Sequence, residues 1–308
     1  MKRKNIIISF FVIWILAIVF SYYVLLKPNV VNIAYMSDKK YLPYIMTSMY
    51  SLIKNKEKTS HYKIYVLAKD FDEEDVNKLK KLENEDVTIT VKDIKEKDLN
   101  YTNLGRFKSY KMAMQKIFIS SHLEDIDKIL YIDGDTLIQK DLTRLYNEDV
   151  SSVYLAATKD GLMYQFPYHI TEVELEWRGF YFNTGVMLLN LNKIRQDDIV
   201  SQAIDYFHSH SEVFGDQDVF NVVVKDKVKS LSYNYNLNST FFEEKDAEFL
   251  SEFYGEKVYN TAKENYDNAT ILHFAGHKPW TEWYTHTYLK PLWYEYYNEL
   301  TANYNINF

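Results

Sequence analysis

The sequence contains no cysteine among its 308 residues. This absence excludes disulfides, thiolate nucleophiles and metal sites built from cysteine ligands, so any chemistry is left to carboxylate, imidazole and amide groups. Proline and glycine are also scarce, at 5 and 8 residues, while 47% of the residues are hydrophobic. Such a composition excludes collagen-like and disordered chains. The chain is therefore expected to fold around a sizeable core.

The chain has fewer basic than acidic residues, and its formal net charge is −7. Lysine and arginine form no long block beyond the extreme N-terminus, and a nucleic-acid-binding protein would need such an electrostatic footprint. The sequence also lacks the G-x-G-x-x-G and G-x-x-x-x-G-K-[ST] fingerprints that cradle nucleotide phosphates. We therefore expect no nucleic-acid partner, and any phosphate in a ligand needs a different neutralising group.

A long apolar run is present at the N-terminus. Residues 6–26 contain no charged residue and follow a cluster of three cations, and as a helix such a run is long enough to cross the ~30 Å hydrocarbon core of a bilayer. It predicts a single-pass type II membrane protein, in the Golgi or endoplasmic reticulum lumen of a eukaryote or at a bacterial membrane. A cleaved signal peptide is the alternative. The predicted segments are a cytosolic tail at 1–4, a transmembrane signal anchor at 5–26, a very short stem at 27–30 and a catalytic domain at 31–308.

Alternating strand and helix patterns predict an α/β fold after the apolar run. Apolar, β-branched segments typical of buried strands alternate with amphipathic helices. The predicted strands are VVNIAYM, YKIYVLA, VTITVKDI and KILYID, and the helices between them are YLPYIMTSMYSLIKN, DEEDVNKLKKLE and SYKMAMQKIFISSHL. Right-handed crossovers would place these strands in one mostly parallel sheet with helices on both faces. Ligands of such sheets bind beyond the carboxyl ends of the strands.

Two carboxylates follow the fourth predicted strand directly, in the segment ILYIDGDTLI. Asp133 and Asp135 lie two positions apart, so in an extended chain their side chains point to the same face, and Gly134 between them leaves room for a ligand to approach the backbone. Hard oxygen ligands suit Mn²⁺ or Mg²⁺, which can offset the charge of a diphosphate. The triplet alone is weak evidence, and its position after a buried strand favours the ligand role over a turn cap.

Five segments, in order along the chain, resemble family 8 of the retaining glycosyltransferases. They are VNIAYMSDKKYLPYIMTSMYSL, KILYIDGDTLIQKDLTRLYN, YFNTGVMLLNLNKIR, GDQDVFN and LHFAGHKPW. The resemblance implies a GT-A fold that moves xylose, glucose or galactose from a UDP-sugar to a glycan acceptor hydroxyl, with retention and with Mn²⁺ or Mg²⁺. Two segments, RFKSYKMAMQKIF and VFGDQDVFN, resemble the glucoside and xyloside xylosyltransferase branch of the family.

The resemblance also implies a metal and nucleotide site. Asp133 and Asp135 match the metal-binding acids of the family and His273 matches the imidazole that completes the set, a mixture of oxygen and nitrogen ligands that suits Mn²⁺ better than Mg²⁺. The remaining residues expected to contact the UDP-sugar are Met36, Asp38, Tyr41, Lys116, Gly134, Gly276 and Lys278.

Two of these matches depart from the family pattern. Lys116 stands where many members have an arginine, and an ammonium cannot make the bidentate contact of a guanidinium. In GHKPW a single residue separates Gly276 from Lys278, where the family usually has two, so the reach of the lysine toward a diphosphate is shortened.

Four further residues match the pocket around the transferred sugar. Asn183, Asp216 and Gln217 would present amide and carboxylate groups to sugar hydroxyls, and Asp160 matches an acid near the sugar and the acceptor. Because an amide is a poor nucleophile, Gln217 favours the front-face route proposed for the family, in which the acceptor hydroxyl attacks from the side that UDP leaves. Asp216 has an additional candidate role as the N-cap of a following helix.

Two other classes of function compete with this interpretation. A catalytically weak, membrane-tethered sugar- or nucleotide-binding protein is compatible with the departures at Lys116 and in GHKPW. A haloacid-dehalogenase-like phosphatase also places an Asp-x-Asp triplet after a strand, but its threonine follows the second Asp by two positions, whereas Thr136 follows Asp135 directly.

Overall fold

The computed structural model describes seven stretches of the chain, which form one seven-stranded sheet and one three-stranded sheet packed with helices. The described residues are 29–94, 111–161, 181–210, 214–239, 247–264, 266–284 and 286–308. The strands are β1 (Asn29–Asp38), β2 (Ser60–Lys69), β3 (Val87–Asp93), β4 (Lys128–Ile132), β5 (Thr136–Ile138), β6 (Leu155–Lys159), β7 (Phe182–Asn190), β8 (Val228–Leu231), β9 (Leu237–Asn238) and β10 (Ile271–His273).

Helices lie between these strands and, in one case, after the last of them. The α-helices are α1 (Leu42–Lys54), α2 (Glu73–Lys80), α3 (Lys111–Met114), α4 (Ile119–His122), α5 (Thr143–Tyr146), α6 (Leu191–Gln196), α7 (Ile199–Ser209), α8 (Gly215–Val223), α9 (Ala247–Tyr254), α10 (Glu256–Glu264) and α11 (Leu289–Tyr304). The 3₁₀ turns are Lys39–Tyr41, Gln115–Phe118, Tyr233–Tyr235 and Tyr266–Asn268.

The large sheet has the strand order β3-β2-β1-β4-β7-β6-β8. All its neighbouring pairs are parallel except the two that involve β7, which runs antiparallel to β4 and to β6. The small sheet has the order β5-β10-β9, with β10 antiparallel to β5 and parallel to β9. The predicted α/β fold with a mostly parallel central sheet is therefore confirmed.

Hydrophobic cores lie on both faces of the large sheet, as the alternation along β1 shows. Ile33 and Tyr35 belong to the core that contains α1 and α11, whereas Ala34 and Met36 belong to the core that contains α4, α7 and α8. Because neighbouring side chains of a strand point to opposite faces, a strand covered on both sides is hydrophobic at nearly every position. This accounts for the continuous apolar run of VNIAYM.

The segment predicted as a single helix, SYKMAMQKIFISSHL, is divided in the structure. Its described part consists of α3, the 3₁₀ turn Gln115–Phe118 and α4. All four residues of the turn are buried, including the polar Gln115 and Lys116. The turn is buried on every side, so this segment does not form the single helix that the sequence pattern indicated.

The predicted membrane-spanning helix requires a correction. No helix in the described ranges is long and apolar enough to cross a membrane; the longest, α11, has 16 residues, against the ~20 that a bilayer requires. Residues 5–26 lie outside the described residues, and the predicted stem is cut short because β1 begins at Asn29. The fold class is thus an α/β fold for which a membrane-spanning helix and a single-pass type II topology are not supported.

One buried hydroxyl joins the start of β2 to the segment that follows β5. The Tyr62 hydroxyl donates to Asp141 Oδ2 at 2.6 Å and accepts from the Leu142 backbone N–H at 3.1 Å, and Tyr62 is 1% exposed. Since a hydrogen bond to a charged group contributes about 1.5–3 kcal/mol, we expect Tyr62→Phe to lower the free energy of unfolding by about 2 kcal/mol. Urea denaturation followed by circular dichroism measures this change.

The matched control is Tyr65→Phe on the same strand. Within the described residues the Tyr65 hydroxyl has no hydrogen-bond partner, and this side chain is half-buried. Its removal is expected to change the free energy of unfolding by less than about 0.5 kcal/mol. Equal losses for the two variants would contradict the assigned role of the Tyr62 hydroxyl.

Candidate active site

The predicted site residues converge at the edge of the large sheet where β1 and β4 end. A cavity of about 340 Å³ opens there, and most of the residues expected to contact a UDP-sugar line it. The lining residues are Met36, Ser37, Asp38, Tyr41, Met112, Ala113, Lys116, Tyr131, Asp133, Gly134, Asp135 and Lys278. A larger groove of about 710 Å³ lies around Asp141 and Arg144, but none of the predicted site residues lines it.

Two acids and one imidazole form a cluster beside this cavity. One potential ligand atom from each of Asp133, Asp135 and His273 lies within 4.8 Å of the other two. His273 Nε2 is 3.4 Å from Asp135 Oδ1 and 4.0 Å from Asp133 Oδ2. The three side chains therefore meet as the sequence resemblance implied.

Strand pairing brings His273 to the two acids. In the antiparallel ladder of β10 with β5, His273 lies opposite Thr136, the residue that follows Asp135. The next backbone N–H, that of Phe274, donates to the Asp135 carbonyl oxygen at 2.8 Å. The register of this short ladder thus fixes the separation of the imidazole from the carboxylates.

A glycine of β7 allows the imidazole to pack against the large sheet. A Cβ atom added to Gly185 would lie 2.2 Å from His273 Cε1, a distance that no side chain can tolerate. The Gly185 carbonyl oxygen also accepts a hydrogen bond from the Asp133 backbone N–H at 2.7 Å. Gly185 in the segment FNTGV therefore positions both ends of the candidate metal site.

Gly134 also has a packing role that the sequence analysis did not foresee. A Cβ atom added to it would lie 2.4 Å from Ile45 Cγ2 and 3.3 Å from Tyr41 Cδ1, so this glycine permits close packing of α1 on the loop after β4. Gly134 also lines the cavity, and the expectation that it leaves room for a ligand to approach the backbone stays a prediction.

Lys278 reaches one of these acids, Asp135, despite the shortened loop. Its ammonium group contacts Asp135 Oδ2 and donates to the Phe274 carbonyl oxygen at 2.9 Å. Burial by itself would raise the pKa of Asp135, but the charge of the nearby Lys278 ammonium outweighs it and holds this pKa well below its usual range. Asp135 is therefore ionised, as a metal ligand must be. Gly276, in the same loop, has a φ of +82° and does not line the cavity.

Lys116 joins Asp133 to Asp216. Its Nζ lies 3.0 Å from Asp133 Oδ1 and 3.2 Å from Asp216 Oδ2, and 5.1 Å from the centre of the Tyr131 ring. Burial would lower the pKa of Lys116, but the charges of Asp133 and Asp216 raise it above its usual value. The buried ammonium is thus held charged by two acids, and the Tyr131 hydroxyl completes the cluster by donating to Asp133 Oδ1 at 2.6 Å.

The N-cap role considered for Asp216 is wrong. Helix α8 begins at Gly215, and its N-cap residue, Phe214, makes no capping hydrogen bond through its side chain. The carboxylate that accepts from the Phe214 backbone N–H belongs to Asp218, at 2.6 Å. Asp216 is buried, and burial together with the charge of Asp133 raises its pKa against the opposing effect of Lys116.

The other predicted sugar-pocket residues form one hydrogen-bonded group. Asn183 Nδ2 and Gln217 Nε2 both donate to Asp160 Oδ2, at 3.1 and 3.2 Å. The Gln217 side-chain oxygen in turn accepts from the Thr184 backbone N–H at 3.2 Å. The Asp160 carboxylate, directly after β6, is therefore joined to two amides, one from β7 and one from α8.

The end of β1 supplies the remaining residues of the cavity. Asp38 Oδ1 accepts from the Tyr41 backbone N–H at 3.0 Å, which fixes the 3₁₀ turn that carries the tyrosine. Burial, followed by the charges of Asp135 and Asp133, raises the pKa of Tyr41, so its phenol stays neutral. Its ring packs edge-on against Trp280 at a centroid distance of 5.8 Å. Met36 also lines the cavity.

The sequence analysis missed three residues that support the site. Asn236 contacts His273 and Asn183, and nothing in the asparagine-rich segment YNYNLN singles it out. Asn221 donates to the Phe182 and Gln217 carbonyl oxygens and thereby ties β7 to α8. Tyr131 precedes Asp133 by two positions on the strand, a same-face spacing that could have identified it.

The cluster of Asp133, Asp135 and His273 fits a divalent cation of the Mn²⁺ or Mg²⁺ class. Two carboxylates supply hard oxygen ligands, and the neutral imidazole supplies a nitrogen of the kind that transition metals accept. Asp135 and His273 are 6% and 4% exposed, so protein groups hold them in place.

Comparisons with known proteins point to one family. The model of "Glycosyl transferase family 8" matches residues 32–284. A Haemophilus influenzae protein named as a glycosyltransferase is 29% identical over 220 residues, which cover 68% of this chain and 64% of that relative. The lipopolysaccharide 1,2-glucosyltransferase of Escherichia coli is 26% identical over 256 residues, which cover 82% of this chain and 73% of that enzyme. Both relatives are bacterial, so the predicted Golgi or endoplasmic reticulum location is not supported.

A solved structure shows the same fold. The galactosyltransferase LgtC, crystallised with donor and acceptor sugar analogues, superposes with a TM-score of 0.72 at 20% identity, over 88% of this chain and 96% of that chain. The first relative is matched over less than two thirds of its length, so its activity as a whole does not carry over directly. The match to the family model, which spans most of the chain, is decisive: the protein belongs to glycosyl transferase family 8 and is a glycosyltransferase.

Proposed function

We propose that the protein transfers a sugar from a UDP-sugar to a hydroxyl of a glycan or glycoconjugate acceptor, with retention and with Mn²⁺ as the preferred cation. The observation that carries this proposal is the meeting of Asp133, Asp135 and His273 beside a cavity lined by the predicted nucleotide-contacting residues. Xylose, glucose and galactose stay open as the donor sugar. Mg²⁺ is the alternative cation.

The cavity has the groups that a nucleoside diphosphate needs. Tyr41 offers a neutral aromatic ring for the base, and the Asp38 carboxylate lies next to it at the end of β1. The Lys278 ammonium faces the same cavity and is placed to neutralise a diphosphate oxygen. A divalent cation held by the two acids and the imidazole would withdraw electron density from the departing phosphate.

The group around Asp160 is suited to the transferred sugar. Asp160, Asn183 and Gln217 present a carboxylate and two amides, and a buried site of this kind rejects a sugar that leaves one of them unpaired. The Gln217 amide cannot form a covalent glycosyl intermediate readily, because an amide is a weak nucleophile. Its dipole can instead steady positive charge at the anomeric carbon.

These groups favour transfer on the front face of the sugar. The bond from the anomeric carbon to the UDP oxygen breaks, and the acceptor oxygen forms its bond on the same side. The acceptor proton passes to a phosphate oxygen of the departing UDP. Retention therefore requires no nucleophile from the protein, and the described residues need only orient the donor and exclude water.

Neither alternative class of function gains support from a specific observation. A phosphatase is disfavoured by membership of family 8. A sugar- or nucleotide-binding protein without activity was considered because of the lysine at position 116 and the shortened loop. Lys116 nevertheless contacts both Asp133 and Asp216, and Lys278 reaches Asp135. Turnover measurements separate a binding protein from an enzyme.

Removal of the cation or of Asp135 is expected to abolish activity. In the full-length protein, EDTA should stop hydrolysis of the accepted UDP-sugar and added Mn²⁺ should restore it, whereas Asp135→Ala should stay at least about 100-fold below wild type in Mn²⁺. Release of UDP from UDP-xylose, UDP-glucose and UDP-galactose measures this loss and identifies the donor.

The control for this variant is Asp125→Ala. Asp125 belongs to the triplet Asp-Ile-Asp at 125–127, which has the same spacing as the candidate metal acids but is exposed. This variant should keep wild-type hydrolysis. Activity that survives both EDTA and Asp135→Ala would refute the metal-dependent mechanism, and UDP binding without any turnover would favour the binding protein.

Gln217→Ala is expected to lower kcat by about 100-fold, because it removes a dipole directed at the charge that develops on the sugar. The KM for the donor should change much less, since Asp160 and Asn183 remain. The product should keep the anomeric configuration of the donor, which nuclear magnetic resonance of the glycoside reports.

Gln196→Ala serves as the matched control, because Gln196 is exposed on α6 and, among the described residues, its side chain bonds to Asn192 alone. Its kinetic constants should equal those of wild type. A glycosyl adduct on Gln217 detected by mass spectrometry, or an inverted product, would contradict the front-face route.

A further inference from the structure

A chain of buried side chains connects the sugar pocket to the candidate metal site. Asn183 donates to Asp160, Asn236 Nδ2 lies 2.9 Å from Asn183 Oδ1, and Asn236 Oδ1 lies 2.9 Å from His273 Nδ1. Asn236 and His273 are 3% and 4% exposed. Each hydrogen bond in this chain constrains the direction of the next.

A backbone N–H determines which atoms donate and which accept along this series of hydrogen bonds. The Gly185 N–H donates to Asn183 Oδ1 at 2.9 Å, and a backbone N–H can only donate. The atom of Asn183 at this position must therefore be its oxygen. Its amide nitrogen then faces the Asp160 carboxylate, which can only accept. The two hydrogen bonds therefore require the same orientation of the Asn183 amide.

The same reasoning fixes Asn236 and then His273. Because the Asn183 oxygen accepts, Asn236 must direct its amide nitrogen toward it and its oxygen toward the imidazole. An amide oxygen cannot donate, so His273 Nδ1 must carry the proton of that hydrogen bond. The lone pair of the neutral imidazole is then on Nε2, the atom that faces Asp135 and Asp133.

We propose that Asn236 is a positioning residue that holds His273 with its Nε2 lone pair directed at the metal site. The proposal rests on the proposed metal-dependent function. Asn236 would act on the metal only through His273, because it does not line the cavity. Outer groups of this kind orient a ligating imidazole and typically change metal affinity by about 10–100-fold when removed. The link through Asn183 to Asp160 also ties the metal site to the sugar pocket.

The first test is Mn²⁺ affinity, measured from the electron paramagnetic resonance signal of free Mn²⁺ with the full-length protein. Asn236→Leu removes the acceptor at similar volume and should weaken Mn²⁺ binding by about 10–100-fold. Asn234→Leu is the matched control, because Asn234 is exposed and lies two positions earlier in the same segment. It should bind Mn²⁺ as wild type does.

A second variant separates the contact of Asn236 with His273 from its contact with Asn183. Asn236→Asp keeps an oxygen for the His273 Nδ1 proton but places another oxygen against Asn183 Oδ1, which the Gly185 N–H prevents from turning away. Mn²⁺ affinity should therefore stay at the wild-type level or above it. The KM for the donor sugar should rise, because the Asn183 contact to the sugar pocket is disturbed.

The protonated nitrogen can be observed directly in the metal-free protein. At a pH at which the resonances of ¹⁵N-labelled His273 report a neutral imidazole, they should show the single ring proton on Nδ1. Their assignment follows from their loss in His273→Gln. This measurement needs neither a folded Asn236→Leu variant nor any enzymatic activity.

Two results would overturn the proposal. One is an unprotonated Nδ1 in the wild-type protein, and the other is wild-type Mn²⁺ affinity in a folded Asn236→Leu variant. A wild-type protein that binds no Mn²⁺ would instead refute the proposed metal dependence. In that case the nitrogen measurement still decides whether Asn236 orients His273.

Discussion

The antiparallel pairing of β10 with β5 is the contact on which the candidate site depends. It comprises three residue pairs and places His273 beside the loop that carries Asp133 and Asp135. The same loop is fixed from the other side, because the Asp133 N–H bonds to Gly185 in β7. A shift of one residue in the short ladder would turn the imidazole to the opposite face. The two sheets are therefore joined where the chemistry requires a defined distance.

Charge balance explains why so many acids are tolerated at this junction. Asp133, Asp135 and Asp216 are faced by two ammonium groups, those of Lys116 and Lys278. When all are ionised, the three negative and two positive charges leave one net negative charge, which favours a cation over an anion. A divalent cation would reverse that sign to one net positive charge and so favour a diphosphate. The site is thus suited to bind the cation and the donor together.

The sequence predicted the elements and the site better than it predicted the contacts between them. The strands β1 to β4 follow from apolar periodicity, and the metal-ligand set follows from the resemblance. The packing of Gly134 against Ile45 was not foreseen because it is a tertiary contact. Asn236 was missed for a related reason: its two partners are 53 and 37 positions away in sequence, and no local pattern encodes such separations. The predicted membrane-spanning helix rested on a length rule alone, and residues 5–26 lie outside the described residues.

The amides of the site act through fixed directions rather than through reactivity. Backbone N–H groups of Thr184 and Gly185 bind the oxygens of Gln217 and Asn183, so both amide nitrogens must point toward Asp160. Such groups need no reorganisation when charge develops on a bound sugar, which is the condition for strong electrostatic stabilisation. The two backbone donors come from neighbouring residues of β7, a strand buried on both faces. The rigidity of that strand is therefore transmitted to the sugar pocket, and through Asn183 to the imidazole.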